Sequence, residues 1–266
     1  MATVARINVT PVKGLGLVRR DEVELTERGV DENRRFYLIR DGRMYNGKDH
    51  GPLVRVTAEA SNGRLALHFP DGGTVAGDYE LGERVATDFW GLRIVPGRVV
   101  EGPWAAALSA YAGEELQVVR ADEPQSGVDV HVGTLLGLAS CERLGAELDA
   151  HVDPRRFRML LELDGLAPHE EDGWREQRIA VGDAVLHVRG PVPRCVVTTH
   201  DPDTGVRTLD TLRAIKSYRG VRDGKLVDFG VYFDVERAGR VRVGDEVRQI
   251  QIESSPPRQG LRSNHP

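Results

Sequence analysis

The chain has 266 residues, room for one large or two small domains at ~150 residues each. Lys plus Arg is 36 against 41 for Asp plus Glu, a net charge of −5, which argues against general electrostatic binding to nucleic acid or an anionic membrane. The longest apolar runs, such as Ala105–Leu108, fall far short of the ~20 residues of a membrane span. A strand-like Met1–Val9 containing Arg6 argues against a leader peptide. The two cysteines, Cys141 and Cys195, exclude a disulfide framework, a CxxC redox pair and a four-cysteine zinc or iron–sulfur site, and they fit a reduced, cytoplasmic setting.

Gly at 30 of 266 residues is well above the usual ~7% and marks a chain rich in tight turns. Val4–Val9 reads as a strand ending in the Pro11-Val12-Lys13-Gly14 corner. Phe36–Arg40 meets Asp41-Gly42, a two-residue hairpin signal, and Asn62-Gly63 separates Leu53–Ala58 from Leu65–Phe69. Pro70-Asp71-Gly72-Gly73 and Trp90-Gly91 add further turns. Short strands at this spacing predict a small barrel or sandwich. A helix is expected over Pro103–Ala112, with Pro103 suited to a first turn, then a strand at Gln117–Arg120 and a loop at Val128–Gly133. Leu135, Leu138, Cys141, Leu144 and Leu148 recur at helical spacing and predict a second helix. Strands follow at Phe157–Leu163, Arg178–Val181, Ala184–Val188 and Cys195–Thr199. A third helix is expected over Leu209–Tyr218, capped by Asp210 or Thr208. The final strands are Gly230–Val235 and Arg240–Ile252, and the polar, Pro-bearing tail at 253–266 reads as disordered. The turn-rich pattern predicts a mainly β (α+β) protein, and the point near Pro96–Pro103 where strands give way to a helix is the expected boundary between segments 1–100 and 101–252.

Common cofactor motifs are missing. Gly14-Leu15-Gly16 begins a dinucleotide-like pattern, but Arg19 stands where the next glycine belongs. His169-Glu170-Glu171-Asp172 reads as a solvated acidic loop. Cys141, on the apolar face of the second helix, reads as a core residue. Cys195 follows Pro191, Pro193 and Arg194. A cysteine beside a cation is a candidate nucleophile and soft metal ligand, while a buried, inert strand cysteine is the plain alternative. Lys13, Arg34, Arg35, Arg158 and Arg194 sit at corners and strand ends, where they would either converge on an anion or pair with surface carboxylates.

At these residues the sequence resembles the MOSC family preceded by its N-terminal β-barrel. The likeness runs through Pro11-Val12-Lys13-Gly14, Asn33-Arg34-Arg35-Phe36 and Arg155-Arg156-Phe157-Arg158. It continues through Glu171-Asp172-Gly173-Trp174, Pro193-Arg194-Cys195-Val196-Val197-Thr198-Thr199 and Asp201-Pro202-Asp203-Thr204-Gly205. The resemblance implies a small β-barrel packed on a β-barrel MOSC domain with a few helices. It implies an amidoxime-reducing type of molybdenum oxidoreductase, found in mitochondrial and bacterial relatives, acting on N-hydroxylated small molecules. On that reading Cys195 is the thiolate ligand to the molybdenum of the molybdopterin cofactor. Lys13, Arg158 and Arg194 match positions that hold the pterin or its phosphate, and Tyr232 matches a tyrosine near the cofactor. Gly14, Asn33 and Arg34 fall in the same cofactor-binding segments, and a separate protein donates electrons. A sulfur or molybdenum-cofactor carrier without redox turnover is the alternative. Two departures stand out: Met159-Leu160 replaces the family's Pro-Asn after Arg158, removing an expected polar contact at Leu160, and Asn33 replaces an aspartate.

Overall fold

The computed structural model describes residues 1–250. Two closed barrels dominate it. The larger has seven strands in the order Leu161–Asp164, Gly133–Gly137, Asp228–Arg237, Ala184–Pro193, Arg178–Val181, Glu246–Ile250 and Ala2–Val9. It closes where Val4 and Ile7 pair with Leu163 and Leu161. The smaller has five: Arg93–Glu101, Gln117–Ala121, Phe36–Arg40, Arg43–Tyr45 and Glu80–Phe89. Alternation along Phe36–Arg40 builds its packing, since Tyr37 and Ile39 join one cluster with Phe89 and Val119, while Phe36 and Leu38 pack outward against Trp104 and Leu108. Those last two belong to helix α1 (Trp104–Ala112), which packs with a three-stranded sheet over Thr57–Ser61, Arg64–His68 and Thr74–Asp78. The barrels interleave along the chain: the first strand belongs to the larger barrel, and α1 and Gln117–Ala121 belong with the smaller.

The Asp41-Gly42, Asn62-Gly63 and Trp90-Gly91 turns all place both residues at positive φ, the handedness that matches strand twist in a two-residue hairpin. Asp210 caps α3 (Thr211–Arg219), accepting a hydrogen bond from the Arg213 N–H. Cys141 lies buried in α2 (Leu138–Leu148), where desolvation pushes its thiol well up, as a core role requires.

Several expected boundaries move. The run from Leu135 splits into a buried strand, Gly133–Gly137, and then α2, because the Gly137 backbone is extended. Leu53 belongs to a 3₁₀ turn, Gly51–Arg55, with Pro52 at its start. Phe157 closes the 3₁₀ turn Pro154–Phe157, and the strand begins only at Leu161. Val196–Thr199 is a 3₁₀ turn instead of a strand. Arg240 onward breaks at Val243-Gly244-Asp245 into Gly239–Arg242 and Glu246–Ile250. The acidic loop is not wholly solvated, because Glu171 is fully buried and accepts a hydrogen bond from Ser140 Oγ. The expected tail, 253–266, lies outside the described residues.

Candidate functional site

The two barrels meet around a cleft of about 340 Å³, and chain corners bring its cations there. The Lys13 N–H donates to the Phe36 carbonyl, pinning the first corner to the small barrel. Gly14 follows at φ +95, where an added Cβ would press on the Asn46 Cβ at 3.1 Å. The Lys13 ammonium donates to Asp129 Oδ1 at 2.7 Å and to the Gly127 carbonyl at 2.9 Å, and it lies 5.5 Å from the Trp90 ring centre. Burial pulls its pKa down to about 8, although Asp129 opposes the shift.

Arg34 and Arg158 both hold left-handed backbone, at φ 54, and both end tight turns. Arg34 Nη2 donates to the Arg158 carbonyl, and Arg158 Nη2 donates to the Leu15 carbonyl at 2.5 Å, which ties the barrels together through main chain. Each makes that one side-chain hydrogen bond among the described residues, out of the five donors a guanidinium carries. Arg194 is more committed. It donates to the Phe229 carbonyl at 2.7 Å through Nε and to the Phe157 carbonyl at 2.9 Å through Nη1. The three guanidinium groups keep part of their surface open to the cleft, yet the surrounding protein desolvates them. Desolvation lowers Arg34, and it draws Arg158 and Arg194 to about 10.

Cys195 stands at the foot of this group. It is half-buried, lines the cleft and starts the Val196–Thr199 turn. The turn forms because Thr198 Oγ1 donates to the Cys195 carbonyl and Thr199 Oγ1 to the Val196 carbonyl, so local hydroxyl bonds displace the strand that a Val-Val-Thr-Thr run favours. Tyr232 faces the same cleft, with its phenol pushed up to about 12 by burial and then by Asp129. Asp129 itself is raised by desolvation, but Lys13, Arg34 and Lys48 outweigh that and hold it at about 2. Among the described residues no cluster of three or more His, Cys, Asp or Glu side chains is placed to hold a metal. The cleft thus gathers Lys13, Arg34, Arg158 and Arg194 beside the Cys195 thiol.

The MOSC domain profile matches residues 98–248 and the MOSC N-terminal beta barrel domain profile matches residues 1–99. The chain belongs to the MOSC family. This MOSC protein is 28% identical over 287 residues to mitochondrial amidoxime reducing component 2 of Rattus norvegicus, covering 94% of this chain and 84% of that protein. It is 38% identical over 120 residues to mitochondrial amidoxime-reducing component 1 of Mus musculus, covering 42% of this chain and 35% of that one. Against molybdenum cofactor sulfurase of Caenorhabditis briggsae it is 26% identical over 267 residues, covering 93% of this chain and 36% of that protein.

Lys13, Gly14, Arg34, Arg158, Arg194, Cys195 and Tyr232 of the MOSC protein all line the cleft. Asn33 does not. Its Oδ1 accepts the Thr10 N–H at 3.0 Å, so its side chain shapes the turn that presents Arg34. Arg35 also points elsewhere, with Nη2 donating to the Asp122 carbonyl. Leu160 packs inside the large barrel with Leu135 and Leu161, and the wall facing the cleft is Met159, so the Leu160 side chain has no cleft contact to lose. Asp129, His131, Lys48 and Trp90 line the cleft and escape sequence reasoning, since they lie in turns and in a loop without periodicity. Among the described residues no helix is long and apolar enough to cross a membrane.

Proposed function

We propose that this MOSC protein binds the molybdenum cofactor in the cleft through Cys195 and reduces N-hydroxylated small molecules with electrons from a separate carrier protein. The observation that carries the reading is the cleft itself: a half-buried thiol beside Lys13, Arg34, Arg158 and Arg194, all four with pKa values drawn down by desolvation. Cations held at that cost are stabilised when an anion arrives, and the Asp129 carboxylate offsets only part of their charge. The donor set fits the cofactor, whose phosphate would meet Arg34 and Arg158 through their free donors and whose metal would accept the Cys195 thiolate. When bound, that group supplies the two-electron redox chemistry. The chain's own part is to hold it: Arg194 braces the Cys195 segment against the Phe229 and Phe157 carbonyls, and Lys13 closes the opposite wall. The amidoxime-reducing relatives support the substrate class by name.

Protein expressed with cofactor synthesis intact is expected to carry molybdenum equimolar with the chain, and Cys195→Ser to lose it. Full metal retention by that variant removes Cys195 from this role. The similarity to a molybdenum cofactor sulfurase favours one second reading, a sulfur or cofactor carrier. A one-sulfur adduct on Cys195, found by mass spectrometry in protein free of molybdenum, selects it.

A further inference from the structure

His131 lies at the end of the loop that enters strand Gly133–Gly137. That strand pairs with Asp228–Arg237 through Gly133↔Phe233 and Thr134↔Tyr232. The approach is close, since a Cβ on Gly133 would sit 2.1 Å from the Phe233 ring, and it seats His131 beside Asp234. His131 Nδ1 lies 2.9 Å from Asp234 Oδ1, while Arg189 Nε, on the neighbouring strand, donates to Asp234 Oδ2 at 2.7 Å. Both carboxylate oxygens are thus engaged. Desolvation raises the Asp234 pKa, but the bonds from Arg189 and His131 outweigh it and keep the carboxylate ionised. An ionised carboxylate only accepts, so His131 carries a proton on Nδ1, and its Nε2 has no protein partner among the described residues. The ring lies 5.2 Å from Tyr232 and lines the cleft that holds Cys195.

Reduction of an N–OH group needs a proton on the departing oxygen. Several other ionisable groups on the cleft wall are held away from that task. Lys13 is bonded to Asp129 and Gly127, Asp129 is held at about 2, and Tyr232 is pushed up to about 12. Arg158 and Arg194 are bonded to carbonyls, and His200 is depressed by burial and then by Arg207 and Arg156. Imidazole is the side-chain class that exchanges protons near neutral pH.

We infer that His131 is the general acid of the proposed reduction, aligned by Asp234 and Arg189 as positioning residues. The inference rests on the reductase reading above. In the step, R–NH–OH takes up two electrons from the carrier protein and two protons, and the N–O bond breaks to give R–NH2 and water. As the imidazolium, protonated on both nitrogens, His131 gives its Nε2 proton to the departing oxygen and returns to the Nδ1–H form. The second proton reaches nitrogen from solvent, and His131, about 28% exposed, is recharged from water at the cleft mouth.

Two measurements test it. In the cofactor-free chain, long-range nitrogen–proton NMR should show the neutral His131 ring protonated at Nδ1 and bare at Nε2, and Asp234→Asn should abolish that tautomer preference. An Nε2–H tautomer in the wild type overturns the arrangement. In cofactor-loaded protein assayed with benzamidoxime and reduced methyl viologen, His131→Gln should keep its molybdenum and lose about 100-fold in kcat, with partial rescue by added imidazole. An active wild type matched by an equally active His131→Gln overturns the assignment alone. A molybdenum-loaded wild type that does not turn over overturns the reductase reading, and the general acid with it.

Discussion

Lys13 carries an electrostatic cost that can be read as stability. Its folded pKa of about 8 lies below the ordinary 10.5, so between those values the unfolded chain binds the extra proton. The penalty is fully present below about pH 8, amounts to about 3 kcal/mol, and fades as pH rises towards 10.5. Cofactor-free Lys13→Met should therefore be more stable than the wild type at pH 7, with the gap closing above pH 8. Urea unfolding of both proteins across that range checks it, and a gap independent of pH would remove the desolvated charge from the account. Asp129 works in the opposite sense: its carboxyl is held at about 2, so what it contributes is present above the ordinary 3.8 and lost as pH falls towards 2. Sequence alone made Lys13, Arg34, Arg158 and Arg194 visible, because cations at chain corners are unusual and a family pattern joined them. It left Asp129 and His131 unmarked, since a short aperiodic loop does not tell which barrel face it will cross.

At the scale of elements, hairpins were the most legible feature, because Asp-Gly and Asn-Gly encode positive φ directly. The turn that carries Cys195 was not. Valine and threonine favour extended backbone, and only the hydroxyl bonds at Thr198 and Thr199 reverse that preference. Thr198 Oγ1 also lies 2.8 Å from Thr211 Oγ1 at the start of α3, so one hydroxyl joins the cysteine turn to a helix. Thr198→Val keeps the shape and removes the link, leaving the buried Thr211 hydroxyl without that partner. Its expected cost is about 1–2 kcal/mol in denaturant unfolding, with weakened molybdenum retention. Thr198→Ser should restore both. A Thr198→Val protein with wild-type stability and metal content would show that the turn is fixed by packing instead.

Across the whole molecule, strand signals predicted barrels but gave no strand partners, so the interleaving of the two barrels was hidden. Ala2–Val9 lies between Leu161–Asp164 and Glu246–Ile250 and buries Val4, Ile7 and Val9 in the larger core. In return, Gln117–Ala121 lies between Phe36–Arg40 and Arg93–Glu101 and completes the smaller barrel. A cut near residue 100 opens both. The larger barrel loses three apolar side chains worth about 2 kcal/mol each together with a full set of ladder hydrogen bonds, against a usual total stability of about 5–15 kcal/mol. The smaller loses Val118 and Val119 and is left with two bare edges. Fragments 1–100 and 101–266 expressed apart are therefore expected to be insoluble or to lack cooperative unfolding, and their co-expression to restore a complex. The cleft depends on the same exchange, because Lys13 and Arg34 come from one fragment and Arg158, Arg194 and Cys195 from the other. A 101–266 fragment that unfolds cooperatively by circular dichroism would show that the larger barrel closes without its first strand.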